Sequence, residues 1–296
     1  MRAVPASALA FPRASDFFAL TKPRVVLLVL LTAAVGFYVG APSDVGMVLF
    51  VHTLVGTALV AAGSSALNQV AESDVDALMV RTAQRPLPAG RLTRPASAAF
   101  AATLGAAGTG YLAAFVNPLT AGLAAATLGS YILLYTPLKR RTSLSTLVGA
   151  VPGALPILGG WTATGTGLDL PAWCLFGIMF LWQLPHFLAL AWLYRADYAR
   201  AGLRMLSVGD EDGRRTFGQA LLYAAALVPV SLTPTVVGLA GPLYFGGALA
   251  LGAWFAATAA LAARQRTTTA ARRLFLVSIT YLPGLLGLLS LDKALR

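Results

Sequence analysis

Three polar side chains at four-residue spacing follow a long apolar run in the first third of the chain. Asn68, Glu72 and Asp76 occupy positions i, i+4 and i+8, so on a helix they share one face. Carboxylate and amide oxygens are hard ligands that suit a cation such as Mg²⁺. Asp74 would point away from that face and is the less favoured fourth candidate. The spacing therefore predicts a magnesium site, with Asn68, Glu72 and Asp76 as ligands, where an apolar helix ends.

Four basic residues follow these ligands along the chain. Arg81 and Arg85 precede the rigid turn PLPAG, while Lys139 and Arg140 follow Tyr135 in the stretch YTPLKRRT. Arginine beside a magnesium site indicates a phosphate-bearing ligand. Together with Mg²⁺, four cations could neutralise a diphosphate leaving group as negative charge develops on it. The plainer alternative is that all four are ordinary positive charges of cytoplasmic loops.

A separate candidate is His186, one of only two histidines, which lies in a strongly apolar stretch. Trp182, Gln183, Phe187 and Trp192 surround it in the sequence. Such a set of aromatic side chains could form a wall for a flat aromatic substrate. A lone histidine among apolar residues is just as often a hydrogen-bonded structural residue. The sequence leaves both interpretations of His186 open.

The elements that must position these residues are membrane helices. The chain has 296 residues, of which 57% are hydrophobic and 11% charged, against about 25% charged in soluble domains. Apolar runs of about 20 residues recur throughout, which indicates an all-α polytopic membrane protein. The formal charge of +11 is spread over the loops between these runs, a topology pattern rather than a nucleic-acid site. The single cysteine, Cys174, excludes a disulfide framework within the chain.

The apolar runs predict nine membrane helices joined alternately by short turns and by basic loops. They are expected at residues 25–41, 46–67, 96–115, 118–135, 144–162, 171–193, 219–240, 242–262 and 273–291.

The positions of the basic residues predict the orientation of the bundle. All lysines and arginines except Lys293 and Arg296 lie before the first helix or in every second loop. The positive-inside rule places these loops and the N-terminus in the cytoplasm and the C-terminus on the outer side. We therefore expect a multi-pass protein of the bacterial cytoplasmic (inner) membrane. Residues 1–24 are expected to form a cytoplasmic segment, and 25–296 one intramembrane domain.

Several stretches together resemble the UbiA-type intramembrane prenyltransferases, and within that superfamily the branch that acts on haem. The Asn68-x-x-x-Glu72-x-x-x-Asp76 motif is similar to the first motif of the superfamily, with glutamate in place of its first aspartate. The second motif of the superfamily, a pair of aspartates, is replaced by His186 and Asp197, which fits the haem branch and leaves the number of Mg²⁺ ions open. The resemblance covers nearly the whole chain and rests on residues 20–37, 68–90, 135–142, 182–206 and 272–292.

The resemblance implies a UbiA-type bundle, with 25–296 as a prenyltransferase domain and Mg²⁺ as cofactor. The implied reaction transfers a farnesyl group from farnesyl diphosphate to a vinyl group of haem B, with addition of water, and gives haem O and diphosphate. Haem A synthase and terminal oxidase assembly factors are the implied protein partners, and no nucleic acid is expected. The implied catalytic residues are Asn68, Glu72, Asp76 and His186, the diphosphate contacts Arg81, Arg85, Lys139, Arg140 and Tyr135, and the haem-side residues Trp182, Gln183, His186, Arg195 and Asp197.

Two other functions are compatible with a polytopic bundle. A UbiA-type enzyme that prenylates a phenolic acid in quinone synthesis predicts a second aspartate-rich motif near 186–197, which this sequence lacks. A transporter predicts ionisable residues near the membrane midplane. Here the acidic residues cluster at one rim instead, so the haem-directed transferase is favoured.

Overall fold

Helices form all the regular structure in residues 13–42 and 46–296, which the computed structural model describes. The turn expected around 41–45 lies partly outside these residues, as do positions 1–12 of the expected N-terminal segment. The helices are α1 (Ala14–Leu20), α2 (Pro23–Gly40), α3 (Met47–Ala71), α4 (Ser73–Asp76), α5 (Arg94–Phe115), α6 (Pro118–Gly129), α7 (Thr136–Leu138), α8 (Ser145–Ala163), α9 (Leu170–Leu193), α10 (Arg195–Arg200), α11 (Arg214–Val236), α12 (Pro242–Gln265) and α13 (Thr268–Leu295).

The predicted nine membrane spans are confirmed for the described part of the chain. Helices α2, α3, α5, α8, α9, α11, α12 and α13 are each long and apolar enough to cross a bilayer, and Pro118–Leu138 forms the ninth span. Large apolar side chains such as Val48, Leu222 and Leu261 are more than half exposed. An apolar outer surface of this kind is suited to lipid rather than water.

Two helices begin earlier than the sequence predicts. The prediction assigned the charged residues that precede each apolar run to a loop. Helix α13 begins at Thr268 rather than 273, since the side chain of Thr267 accepts a hydrogen bond from the Ala270 amide. Helix α11 begins at Arg214 rather than 219, since the Asp210 carboxylate accepts from the amide of Thr216. Arginine is a good helix former, so both helices extend beyond their apolar segments.

The fourth span, predicted at 118–135, is helical throughout but is not a regular α-helix to its end. Residues Ser130–Tyr135 form a π-helical segment. The Thr136 hydroxyl donates to the Tyr131 carbonyl at 2.8 Å, five residues back. Wide turns of this type re-aim side chains and are frequent at functional sites. In this chain the segment directs Tyr131 and Tyr135 to a central cavity.

The larger core lies among α8, α9, α11, α12 and α13, where Phe217, Phe255 and Tyr281 are almost completely buried. At the rim of the bundle that carries the basic loops, a smaller cluster packs Val75 and Met79 against Ala201 and Leu203. This cluster joins the segment after α3 to the segment after α10. The two loop segments that carry most of the candidate site residues therefore pack against each other.

The first described helix, α1, also packs on this rim. Leu20 is fully buried in a cluster with Ala66 and Leu87. The Gln69 amide donates to the Leu20 carbonyl at 2.8 Å, and Arg91 pairs with Asp16 at 2.8 Å. These contacts fold the chain that precedes α2 against the end of α3, next to the predicted magnesium ligands.

Candidate active site

The three predicted magnesium ligands remain in line although the helix that carries them is interrupted. Helix α3 ends at Ala71, and Glu72 forms the joint to α4. The i→i+4 pattern nevertheless continues, because the amide of Glu72 donates to the Asn68 carbonyl at 3.0 Å and that of Asp76 to the Glu72 carbonyl at 2.8 Å. Asn68, Glu72 and Asp76 are 2%, 8% and 1% exposed. We call these three residues the acidic ladder.

A cation contacts each member of the acidic ladder. The ammonium group of Lys139 lies 2.9 Å and 3.0 Å from the two carboxylate oxygens of Glu72. The guanidinium of Arg85 lies 2.6 Å from Oδ2 of Asp76. Buried carboxylates of this kind require such partners. Two of the four cations predicted to bind diphosphate are therefore held at the ladder.

The third cation, Lys22, was not predicted as a site residue. Its Nζ donates to Oδ1 of Asn68 at 3.1 Å. The residue has a φ of 50°, a left-handed conformation that is uncommon for lysine and concentrates at functional sites. In sequence Lys22 was one more positive charge before the first span. No periodicity could show that α1 folds back and turns this side chain inward.

Electrostatics within this group differ between the two lysines. Burial, with the charges of Arg85 and Lys139, lowers the pKa of Lys22 to about 7. Burial also opposes the charge of Lys139, but Tyr135 and the Glu72 carboxylate outweigh it and raise its pKa. Lys139 is thus a permanent cation, whereas the charge of Lys22 depends on its surroundings.

The other acidic candidate, Asp74, lies apart from the ladder, as its phase on the helix predicted. Its side chain is 52% exposed and pairs with Arg140 at 2.8 Å and 3.0 Å. Partial burial raises the pKa of Asp74, but the hydrogen bond and charge of Arg140 outweigh this and lower it overall. Arg140, predicted as a diphosphate contact, is engaged outside the acidic ladder in this structure.

The remaining basic candidates lie at the rim of the bundle that carries the basic loops. The Arg81 guanidinium stacks over the ring of Tyr194, 4.9 Å from its centroid. Arg195 stacks over Trp192 at 4.3 Å, and Asp197 pairs with Arg200. Neither Arg195 nor Asp197 is among the residues that line the central cavity. The structure thus divides the predicted set into an inner group at the ladder and an outer group on the rim.

A cavity of about 670 Å³ leads from this cationic end into the membrane domain. Near the ladder it is lined by Lys22, Tyr131 and Tyr135, and most of its wall is aliphatic. Leu28 and Leu31 of α2 also line it and are themselves more than half exposed. Its volume and lining suit an apolar chain whose charged end stays at the ladder.

Two glycines of α8 make room for predicted site residues. A Cβ on Gly149 would lie 2.5 Å from the ring of Tyr135, and one on Gly153 would lie 1.8 Å from the side-chain oxygen of Gln183. The Gln183 amide is fixed by hydrogen bonds to the carbonyls of Met179 at 2.9 Å and Ala150 at 3.3 Å. Any side chain larger than hydrogen at these positions would displace the cavity wall.

His186 also lines this cavity and lies in a cluster of aromatic side chains. Its Nδ1 is 2.8 Å from the hydroxyl of Ser278 on α13, and its ring stacks against Trp182 and Phe275. The indole of Trp182 donates to the Ser278 carbonyl at 2.7 Å. Sequence reasoning found Trp182, Gln183 and His186 but missed Ser278. A single serine in an apolar span carries no motif that would mark it as a site residue.

The donor set of the acidic ladder fits Mg²⁺. Its side chains supply two buried carboxylates and one amide oxygen in succession, and Mg²⁺ typically takes one or two carboxylates, with substrate phosphates and water as the other ligands. No group of three or more His, Cys, Asp or Glu side chains suited to a metal occurs in residues 13–42 and 46–296.

Comparison with known proteins defines the class. Residues 29–281 match the UbiA prenyltransferase family, and the chain belongs to that family. Proteins named protoheme IX farnesyltransferase are among its curated relatives. The one from Solibacter usitatus (strain Ellin6076) is 46% identical over 287 residues, which covers 94% of this chain and 98% of the relative. The one from Salinibacter ruber (strain DSM 13855 / M31) is 46% identical over 277 residues, with the same coverage of both chains.

Solved structures share the fold at low sequence identity. A digeranylgeranylglyceryl phosphate synthase superposes with a TM-score of 0.81 at 15% identity, covering 95% of this chain and 99% of that one. A UbiA homologue from Archaeoglobus fulgidus bound to DMAPP and Mg²⁺ superposes with a TM-score of 0.66 at 16% identity. The match covers 93% of this chain and 99% of that one. The predicted UbiA-type helical bundle is thereby confirmed.

Proposed function

We propose that this protein transfers a farnesyl group from farnesyl diphosphate to a vinyl group of haem B, with addition of water, and releases haem O and diphosphate. The relatives named protoheme IX farnesyltransferase support the identity of both substrates. The observation that carries the proposal is the placement of a cation-bound acidic ladder beside an apolar cavity that His186 also lines.

The ladder end is the site of diphosphate release. Glu72 and Asp76, with Asn68, hold the Mg²⁺, which supplies positive charge to the diphosphate oxygens. Lys139 and Arg85 lie close enough to exchange a carboxylate oxygen for a phosphate oxygen. In that position they stabilise the charge that develops as the bond between C1 and oxygen breaks. The remaining proposed diphosphate contacts, beyond Lys139 and Arg85, are Lys22, Arg81, Arg140 and Tyr135.

The cavity end of this site holds the farnesyl group. Tyr131 and Tyr135 have ring centroids 5.1 Å apart, and both line the cavity next to Lys22. Their electron-rich faces can stabilise positive charge on an allylic carbon. The aliphatic wall beyond them excludes water, so that the farnesyl cation reacts with the acceptor rather than with solvent.

The acceptor reacts as a nucleophile through a carbon–carbon double bond. A vinyl carbon of haem forms a bond to farnesyl C1 as the electron pair of the broken C1–O bond leaves with diphosphate. The cation left beside the macrocycle is captured by water, whose extra proton is lost to solvent. Trp182, Gln183 and His186 are proposed to contact the haem in the cavity, and Arg195 and Asp197 to approach it from the rim.

The same proposal extends to location and partners. The protein is a multi-pass membrane protein, and we place it in the bacterial cytoplasmic membrane with the N-terminus inside and the C-terminus outside, because the basic loops lie on one side. Residues 25–296 form the prenyltransferase domain, with 1–24 as a cytoplasmic segment. Its product would pass to haem A synthase and terminal oxidase assembly factors.

A direct assay tests the reaction. Membranes that contain the protein are incubated with haem B, farnesyl diphosphate and Mg²⁺, and the extracted haems are identified by mass. We expect a farnesyl-hydroxyethyl haem from wild type and its loss in Glu72→Gln, which removes a ladder charge without changing side-chain size. Asp74→Asn is the matched control, since it neutralises an exposed carboxylate of the same segment. Prenylation of a phenolic acid, with no modified haem, would show that the enzyme belongs to the quinone branch.

A further inference from the structure

The hydrogen bonds around His186 determine which ring nitrogen carries its proton. The hydroxyl of Ser278 donates its one proton to the Phe275 carbonyl at 2.6 Å. The Ser278 oxygen, which lies 2.8 Å from Nδ1 of His186, must therefore accept a hydrogen bond from that nitrogen. Nδ1 is then the protonated nitrogen, and Nε2 carries the lone pair. This tautomer follows from the network of two residues that lie 92 positions apart in sequence.

The ring is also fixed in orientation. Trp182 stacks on it at 5.2 Å between centroids and 27° between planes, and Phe275 stacks at 4.8 Å and 30°. Trp182 is itself held by its hydrogen bond to the Ser278 carbonyl. Phe187 packs against the same ring in a T-shaped arrangement, 5.4 Å between centroids. The described residues make a hydrogen bond to Nδ1 and none to Nε2, and His186 lines the cavity, so the lone pair on Nε2 is available to a molecule bound there.

Three roles for such a histidine can be distinguished. A purely structural histidine, such as His52 on Tyr111, lies away from the cavity, whereas His186 lines the cavity and the described residues provide a hydrogen bond to its Nδ1 alone. A base would become an imidazolium, and no carboxylate among the described residues contacts this ring to balance the charge. A metal ligand needs one protonated nitrogen bound to an oxygen acceptor and one fixed lone pair. The geometry of His186 meets the third requirement.

We propose that Nε2 of His186 binds the iron of the substrate haem as an axial ligand, and that Ser278 is the positioning residue that fixes its tautomer and direction. The proposal rests on the proposed function, because it takes haem as the acceptor. Coordination would anchor the macrocycle through its centre and leave its vinyl-bearing edge free to meet the farnesyl group. The substrate would thus be positioned without a contact to the reacting carbon.

Haem binding provides a test that is independent of turnover. Detergent-purified protein is titrated with haem B and, in parallel, with iron-free protoporphyrin IX, and resonance Raman spectra are recorded on the ferrous complex. The chain has two histidines, and His52 is hydrogen-bonded to Tyr111 at 2.7 Å. In a His52→Gln background, labelling with ¹⁵N-histidine reports on His186 alone. We expect an iron–nitrogen band that shifts with ¹⁵N and tighter binding of haem than of the iron-free porphyrin.

Variants separate ligation from folding. His186→Gly should lose the band and regain an unlabelled one when imidazole is added, which requires a folded cavity. Ser278→Ala should keep the band at lower frequency and weaken haem binding by about 10-fold, because the acceptor that strengthens the ligand is removed. His52→Gln should bind haem as wild type does. Size-exclusion profiles and thermal midpoints verify that each variant is folded.

The outcomes also separate this proposal from the proposed function. Farnesylated haem from wild type, with spectra that do not respond to ¹⁵N or to His186→Gly, would overturn iron ligation and leave the reaction standing. A ¹⁵N-sensitive band without any farnesylated haem would support ligation and overturn the reaction. No binding preference for iron-containing porphyrin would overturn the ligand role in either case.

Discussion

Two regions of the site, the acidic ladder and the surroundings of His186, meet different requirements with different parts of the chain. At the ladder end, charge is concentrated: Glu72 and Asp76 are buried, and each is paired with a cation. At the His186 end the described residues are neutral, and position is set by one hydroxyl and two stacked rings. The first end is arranged to stabilise a charge that appears during reaction, the second to hold a large flat molecule still.

The difference has consequences for tolerance to mutation. A buried ion pair that loses one partner leaves an uncompensated charge, which costs about 3–5 kcal/mol. A neutral hydrogen bond costs about 1 kcal/mol when it is removed. We therefore expect the ladder end to respond to substitution in an all-or-none manner, and the His186 end to respond in graded steps.

The largest effect is expected for Lys139→Gln. This change removes the cation that contacts both oxygens of Glu72, so the rate constant for farnesyl transfer should fall by about 10²–10³-fold, as for other preorganised donors at a leaving group. Single-turnover assays in membranes measure it. Arg141→Gln neutralises a neighbouring, exposed cation and should change the rate less than about twofold. Equal losses in the two variants would mean that only the general positive potential of the loop matters.

An intermediate effect is expected for Gly149→Ala. The added methyl group would lie 2.5 Å from the ring of Tyr135, so the tyrosine must move out of the cavity wall. Overpacking of this kind costs about 1–3 kcal/mol, and KM for farnesyl diphosphate should rise. Gly122→Ala is the control, because its methyl group meets nothing within 4 Å and it does not line the cavity. A variant with unchanged KM would separate Tyr135 from substrate binding.

Sequence reasoning was most successful where chemistry follows local periodicity. The nine spans and the shared face of Asn68, Glu72 and Asp76 could be predicted because both depend on helical repeats of four residues or fewer. Lys22 and Ser278 could not be predicted, because each acts through contact with a residue 46 or 92 positions away. The π-helical end of the fourth span was also missed, since its apolar composition is that of an ordinary membrane helix.

Lys22 offers a pH test of the ladder end. In the folded protein its pKa is about 7, against about 10.4 in an unfolded chain. Below about pH 7 the lysine is protonated in both states, and the unfavourable buried charge is fully present. As pH rises above 7, the folded state loses this proton while the unfolded state keeps it, so the free energy of unfolding increases. The thermal midpoint of the protein in EDTA should therefore rise above pH 7 more steeply than that of Lys22→Met.

The control for this measurement is Arg24→Met, which removes an exposed neighbouring cation and should leave the pH dependence as in wild type. Parallel curves for wild type and Lys22→Met would mean that Lys22 is charged throughout this range. Its contact with Asn68 would then be that of a permanent cation, like Lys139.

The smallest effect is expected for Arg140→Gln, and it decides how far the charged end extends. Arg140 was predicted as a diphosphate contact, but its side chain is 45% exposed and paired with the exposed Asp74. To reach a phosphate oxygen it must leave that partner, and exposed pairs of this kind contribute about 0.2–1 kcal/mol. KM for farnesyl diphosphate should rise by no more than about fivefold, whereas Arg85→Gln, which removes a partner of buried Asp76, should raise it further and lower the rate. If Arg140→Gln changes KM and the rate as much as Arg85→Gln does, the diphosphate site extends beyond the acidic ladder to include Arg140 and Asp74.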